Sequence, residues 1–162
     1  RAKLEKALGL ATAQLAEGID ADADGAAGAR KAGLSRARAR LDRALALAPR
    51  HAWASLYRAH ALHDLQRWAE AAQAYAAVPK DGFEGPGSWR IHLLLEQQAL
   101  CQLRAGHREA AEANFETILT RYEAQPPLAQ WGGLEYLRLA AESDLPQLGP
   151  RVEALRHRLD EP

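Results

Sequence analysis

The chain has 162 residues with 21 basic and 21 acidic side chains, so net charge favours neither a polyanionic nor a polycationic partner. Hydrophobic residues make up 48% and aromatic residues 6%, with no Met, a composition of Ala- and Leu-rich close-packed helices rather than sheets. No run of about 18 apolar residues exists to cross a membrane, and the single Cys101 excludes an internal disulfide or a Cys-based zinc site. The length fits one domain. No basic-then-apolar signal precedes the first helix, although Arg1 is not an initiator Met, which leaves room for a removed leader. A soluble protein is expected, with the cytoplasm favoured over the periplasm.

Apolar residues at three- and four-residue intervals, broken by Gly and Pro, predict about eight helices. The first spans roughly Ala2 to Glu17, with Leu4, Ala7, Leu8, Ala11 and Leu15 on one face, and stops at Gly18. An acidic loop of small residues is expected over 19–33. Ser35 is the expected N-cap of the second helix, which buries Ala37, Leu41, Ala44 and Leu45 and ends before Pro49. Helices at about Ala52 to Leu65 and Trp68 to Val78 follow, joined by a link short enough to force antiparallel packing. The segment Pro79 to Gly87 is expected to break the pattern, and Ser88 to cap a helix from Trp89 to Arg104. Further helices are expected from after Gly106 to about Tyr122, from Leu128 to Glu142, and from Pro150 to Leu159.

The second helices share one spacing: Ala37, Leu41 and Ala44; Ala71, Tyr75 and Val78; Ala111, Phe115 and Ile118. Ala71 follows Ala37 by 34 residues and Ala111 follows Ala71 by 40, the excess matching the Gly/Pro insertion around Asp81 to Gly87. This pattern resembles the tetratricopeptide repeat, over most of residues 1–122. Leu8-Gly9, Gly106 and the closing Pro49 fit that family; Ala59, Ala99 and Gln66 stand where it prefers Gly, and the closing Pro is absent from the second and third units. The resemblance implies an all-α solenoid of stacked antiparallel hairpins, a right-handed superhelix forming a single domain over 1–162. Its parts are a first hairpin at 1–49 with the inserted loop, a second at 50–80, a third at 88–122, and capping helices at 127–162 with Trp131, Leu134, Leu137, Val152, Leu155 and Leu159 covering the end.

The family's first helices line a concave groove for a peptide. By resemblance that face holds Trp53, Leu56, His60, His63 and Asp64 in the second hairpin and Leu93, Glu96, Leu100, Leu103 and Arg104 in the third. Helical period alone puts each set along one side. The implied role is a non-catalytic protein-interaction module binding a protein or peptide; the alternatives are a structural subunit contacting through its convex face or cap, and a weakly calcium-responsive helical module.

Three other chemistries have partial signatures in the sequence. His60, His63 and Asp64 lie near one helix face but fall short of the four ligands of a stable site, so no metal or other cofactor is expected. Asp20, Asp22, Asp24 and Gly25 reproduce the first half of an EF-hand loop, but Lys31 stands where a bidentate Glu must close it. Arg36, Arg40 and Arg43 share a helical face, yet the region lacks base-stacking aromatics, so a solvated outer face is expected rather than a nucleic-acid site. No nucleophile-elbow, Walker or dinucleotide signature occurs, and no enzyme activity is expected.

Overall fold

A computed structural model describes residues 2–20, 26–83, 88–129 and 134–160. Among the described residues every regular element is helical: α1 (Ala2–Asp20), α2 (Ala26–Leu47), α3 (Ala52–Asp64), α4 (Trp68–Ala76), α5 (Ser88–Arg104), α6 (Arg108–Ala124), α7 (Leu134–Ser143) and α8 (Gly149–Asp160). Short 3₁₀ turns occupy Lys80–Phe83, Pro126–Ala129 and Pro146–Leu148. The chain forms two compact units, Arg1–Gly82 and Phe83–Pro162.

The element order follows the sequence reading, but three boundaries move. α1 continues through Gly18 to Asp20, and α2 begins at Ala26, so most of the expected loop is helix. Ala, Arg and Lys dominate residues 26–32 and are strong helix formers, and Leu34 gains full burial by continuing the helix, which outweighs the cost of Gly28 and Gly33. Ser35 accordingly sits inside α2, exposed, rather than capping it. α7 spans Leu134–Ser143, and Leu128, where that helix was expected to begin, lies instead in the Pro126–Ala129 turn. The Asp22 and Asp24 positions of the partial calcium loop lie outside the described residues, as do the Asp20 side chain and Trp131 of the expected cap.

In the first unit each helix packs on the next, α1 on α2, α2 on α3 and α3 on α4. Its core is built on small residues, Ala11, Ala37, Ala44, Ala54 and Ala61, around Leu34 and Leu41. Small side chains at crossings let helix axes approach closely, which is the physical content of the repeated Ala. α3 is started by His51, whose Nδ1 accepts a hydrogen bond from the Ala54 N–H at 3.2 Å. Asp42 of α2 ties to α3 by accepting from Arg58 Nε at 2.6 Å. Gly82 presses on the start of α3: a Cβ there would lie 2.3 Å from that of Ala52.

In the second unit α5 packs on α6, α7 on α5 and α8, and α8 on α6. Phe115, Ile118, Leu119 and Tyr122 of α6 share a core with Leu100, Leu137, Ala140, Leu145, Leu148, Val152 and Leu155. Of the expected cap residues, Leu137, Val152 and Leu155 are buried here, while Leu134 and Leu159 pack at its edge.

All nine residues of the repeated spacing are buried. The turns joining α3 to α4 and α5 to α6 are the same structure displaced by 40 residues. Leu65 N–H donates to Ala61 O, Gln66 to His63 O and Arg67 to Leu62 O; Ala105 donates to Cys101 O, Gly106 to Leu103 O and His107 to Gln102 O. The central residue is left-handed in both, Gln66 at φ 57° and Gly106 at φ 84°.

Candidate functional site

The chemistry-bearing face of the first unit lies along α3. Trp53, Tyr57, His60 and Asp64 recur at four-, three- and four-residue steps, so they form one stripe, and all are half-buried. The rings are arranged in succession: Trp53 and Tyr57 centroids are 5.9 Å apart, Tyr57 and His60 6.5 Å, and His60 and Tyr75 of α4 5.6 Å in an edge-on pair. His60 Nδ1 is hydrogen-bonded to the Tyr75 hydroxyl at 2.8 Å, which fixes the imidazole against α4 and gives the buried phenol a partner. His63 is turned elsewhere. Its Nδ1 lies 3.0 Å from Asp64 Oδ1, and its ring meets Trp68 edge-on at 5.2 Å.

The structure thus brings Trp53, His60 and Asp64 onto one half-exposed stripe, with His63 at its flank. Leu56 is buried and packs rather than presents a surface. The two imidazoles face different partners instead of a common point, and among the described residues no group of three or more His, Cys, Asp or Glu is placed to hold a metal ion. Tyr57 and Tyr75 complete the aromatic array; the sequence pattern marks Tyr75 only as a packing anchor and does not single out Tyr57. Tyr57 carried the signal, lying four residues after Trp53 and three before His60.

The third-hairpin positions behave differently. Glu96 and Leu100 are buried in the second unit, Leu93 and Leu103 are half-buried, and Arg104 is exposed. A partner resting on the surface therefore does not reach Glu96 or Leu100 in this conformation. Glu96 is fully buried; its Oε1 accepts a hydrogen bond from the Tyr122 hydroxyl, and Oε2 has no hydrogen-bond partner among the described residues. Burial pushes the Glu96 carboxyl up to about 9, against the opposing pull of Tyr122 and the Leu137 backbone N–H. The carboxyl is therefore a neutral acid at neutral pH. Beside it, His92 lies 5.8 Å from the Tyr122 ring, and its Nδ1 is buried without a partner among the described residues. Burial first and the Arg121 charge second depress the His92 pKa.

On α2, Arg36 and Arg43 are exposed and Arg40 is half-buried, an arrangement consistent with a solvated face. Cys101 is fully buried and its thiol is pushed up to about 12 by that burial, with Arg104 pulling weakly the other way.

No family model, curated protein or solved structure matches this chain.

Proposed function

We propose that the chain is a non-catalytic protein-interaction module whose hairpins stack in the manner of a tetratricopeptide solenoid, and that it takes a protein or peptide partner on α3. The observation that carries this reading is the half-exposed stripe of Trp53, Tyr57, His60 and Asp64 on a helix already held by its neighbours. Aromatic residues dominate binding hot spots because each buries a large area for few rotatable bonds. Here the rings already lie against one another in tilted and edge-on pairs and His60 is held by Tyr75, so little further ordering is needed when a partner docks. Asp64, at the end of the stripe, supplies orientation by rejecting an acidic group and accepting a donor. The repeated turn geometry of α3–α4 and α5–α6 supports the hairpin-repeat reading.

The test is affinity capture from the native organism, with wild type and Trp53→Ala compared after both give the same helical circular dichroism and melting behaviour. A central aromatic is worth about 2 kcal/mol or more at such a site, so the variant should bind its partner about 30-fold more weakly or worse. Equal capture of every partner by the two proteins would move the interaction off α3.

A further inference from the structure

The second unit contains a hairpin built like the α3–α4 hairpin, yet the equivalent face of its first helix is covered. The 40-residue displacement of the two turns places Gln97 where Tyr57 stands and Leu100 where His60 stands. Gln97 and Leu100 are buried, and α7 is the element over them: Gln97 Nε2 donates to the Tyr136 hydroxyl at 3.2 Å, and Leu100 shares a core with Leu137 and Ala140. Directly beside them Glu96, in register with the buried Leu56 of α3, is fully buried against Tyr122 of α6 and reached from α7 by the Leu137 N–H, and it retains an unpartnered oxygen among the described residues. A half-satisfied buried carboxyl is a standing cost to whatever helix covers it.

α7 and α8 are attached in different ways. The α8 end is fastened to α6 by charge. Arg151 forks onto Glu123, with Nε and Nη2 at 2.8 and 2.7 Å from its two oxygens, and also pairs with Glu116. Arg158 donates to the Glu123 carbonyl at 3.2 Å, and Gln147, in the turn before α8, donates to Glu112 at 2.6 Å. The charges of α7 are spent on one another instead: Arg138 pairs with Glu135 and Glu142 along its own outer face. α7 is also short, running from Leu134 to Ser143, and the Pro146 turn follows it.

We propose that α7 is a releasable strap over the Glu96–Gln97–Leu100 face of α5, that it opens locally while α8 stays anchored on α6, and that loss of the Glu96 proton drives the opening. Opening uncovers on α5 the face that corresponds to the stripe on α3. This inference does not depend on the α3 reading, since it concerns contacts inside the second unit.

The sign follows from linkage. Covered, the Glu96 carboxyl is pushed up to about 9 by burial; opening α7 removes part of that burial, so the carboxyl falls back toward its ordinary value of 4.5. Between the open-form and closed-form values the closed form carries one more proton than the open form, so closure is strongest below the open-form value and is lost as pH rises toward 9. The opening constant therefore rises with pH between the open-form and closed-form values, by at most about tenfold per pH unit. The groups around Glu96 are His92 on α5, Tyr122 and Arg121 on α6, and the Leu137 N–H on α7; Arg151 of α8 is engaged by Glu116 and Glu123. Tyr122, pushed upward by burial and by Glu96, keeps its proton throughout. His92 works in the opposite sense: its depressed value makes opening easier as pH falls below about 6.5, so the Glu96 slope is cleanest above pH 7.

The experiment is hydrogen exchange of the full chain at pH 7.0 and 8.5, corrected for the intrinsic pH dependence of exchange, on wild type, Glu96→Gln and Glu96→Leu. The wild type should lose α7 protection across that interval, by up to about 30-fold, while α6 and α8 change little. Either variant should flatten the α7 slope; the Leu variant serves if the Gln variant does not fold. A wild-type α7 whose protection is independent of pH, an equal slope in a folded variant, or loss of protection in α6 and α8 together with α7 would each overturn the proposal.

Discussion

The matched turns at Gln66 and Gly106 make a reciprocal experiment possible. Both residues adopt a left-handed backbone, φ 57° and 84°, inside the same set of hydrogen bonds. A residue with a Cβ pays about 1–2 kcal/mol to hold that conformation, whereas Gly pays about 0.5–1 kcal/mol of extra chain entropy on folding. Packing does not complicate the balance. Gln66 is exposed, its amide makes no hydrogen bond among the described residues, and a Cβ built at Gly106 meets nothing within 4 Å. Gln66→Gly should therefore stabilise by about 0.5–1 kcal/mol and Gly106→Gln should destabilise by a similar amount. For a unit of this size the melting midpoint should shift by roughly 3–6 °C in opposite directions. Urea unfolding followed by circular dichroism gives the free energies, and the double variant should return close to wild type because the two turns share no partner. A destabilised Gln66→Gly protein would refute the reasoning, since the Gln66 side chain would then have to hold the turn by a contact outweighing backbone strain.

Two further outcomes follow from packing. Gly82→Ala puts a methyl 2.3 Å from the Ala52 Cβ, closer than real carbons approach, so the Lys80–Phe83 turn must back away from α3. Its cost is on the order of 1–3 kcal/mol, readable as a lower urea midpoint, and an unchanged midpoint would mean that the turn shifts freely. Cys101, fully buried with its thiol pushed up to about 12, should resist a thiol reagent at pH 8 in the native protein and react completely in urea. Rapid native labelling would show that the packing around Cys101 opens on the timescale of the reaction.

Much of the fold was legible because the crossing of two helices imposes a local steric rule. Ala37, Ala71 and Ala111 are small where helices meet, and Leu41, Tyr75 and Phe115 fill the next turn; that spacing is written along one chain segment and all six residues are buried. The start of α2 was misread for the opposite reason. Gly28 and Gly33 look like loop residues one at a time, but burial of Leu34 is a tertiary gain that a local reading does not contain. The same division governs the candidate sites. Periodicity was enough to put Trp53, His60 and Asp64 on one stripe, and would have added Tyr57. It could not say that His60 would be held by Tyr75, 15 residues away, or that Glu96 would end beneath α7.

Glu96 shows why the exposed or covered state of a repeat face is decided outside the repeat. α3 and α5 lead into the same turn, so local sequence makes them equivalent as scaffolds. What distinguishes them within their own units is occupancy: α7 arrives on α5 through Tyr136 and Leu137 from about 40 residues downstream, and in doing so takes a carboxyl out of water. Glu96→Leu orphans the buried Tyr122 hydroxyl, a cost of about 1–3 kcal/mol that does not vary with pH, and removes the cost of keeping a buried carboxyl protonated, which grows as pH rises. Glu96→Leu is therefore expected to protect α7 at pH 8.5 beyond the wild type. That gain would identify Glu96 as a group that weakens the closed form, the property a releasable strap requires and a permanent cap does not. A loss of α7 protection in Glu96→Leu would instead make the Tyr122 hydrogen bond the dominant contribution and the carboxyl a net stabiliser of closure.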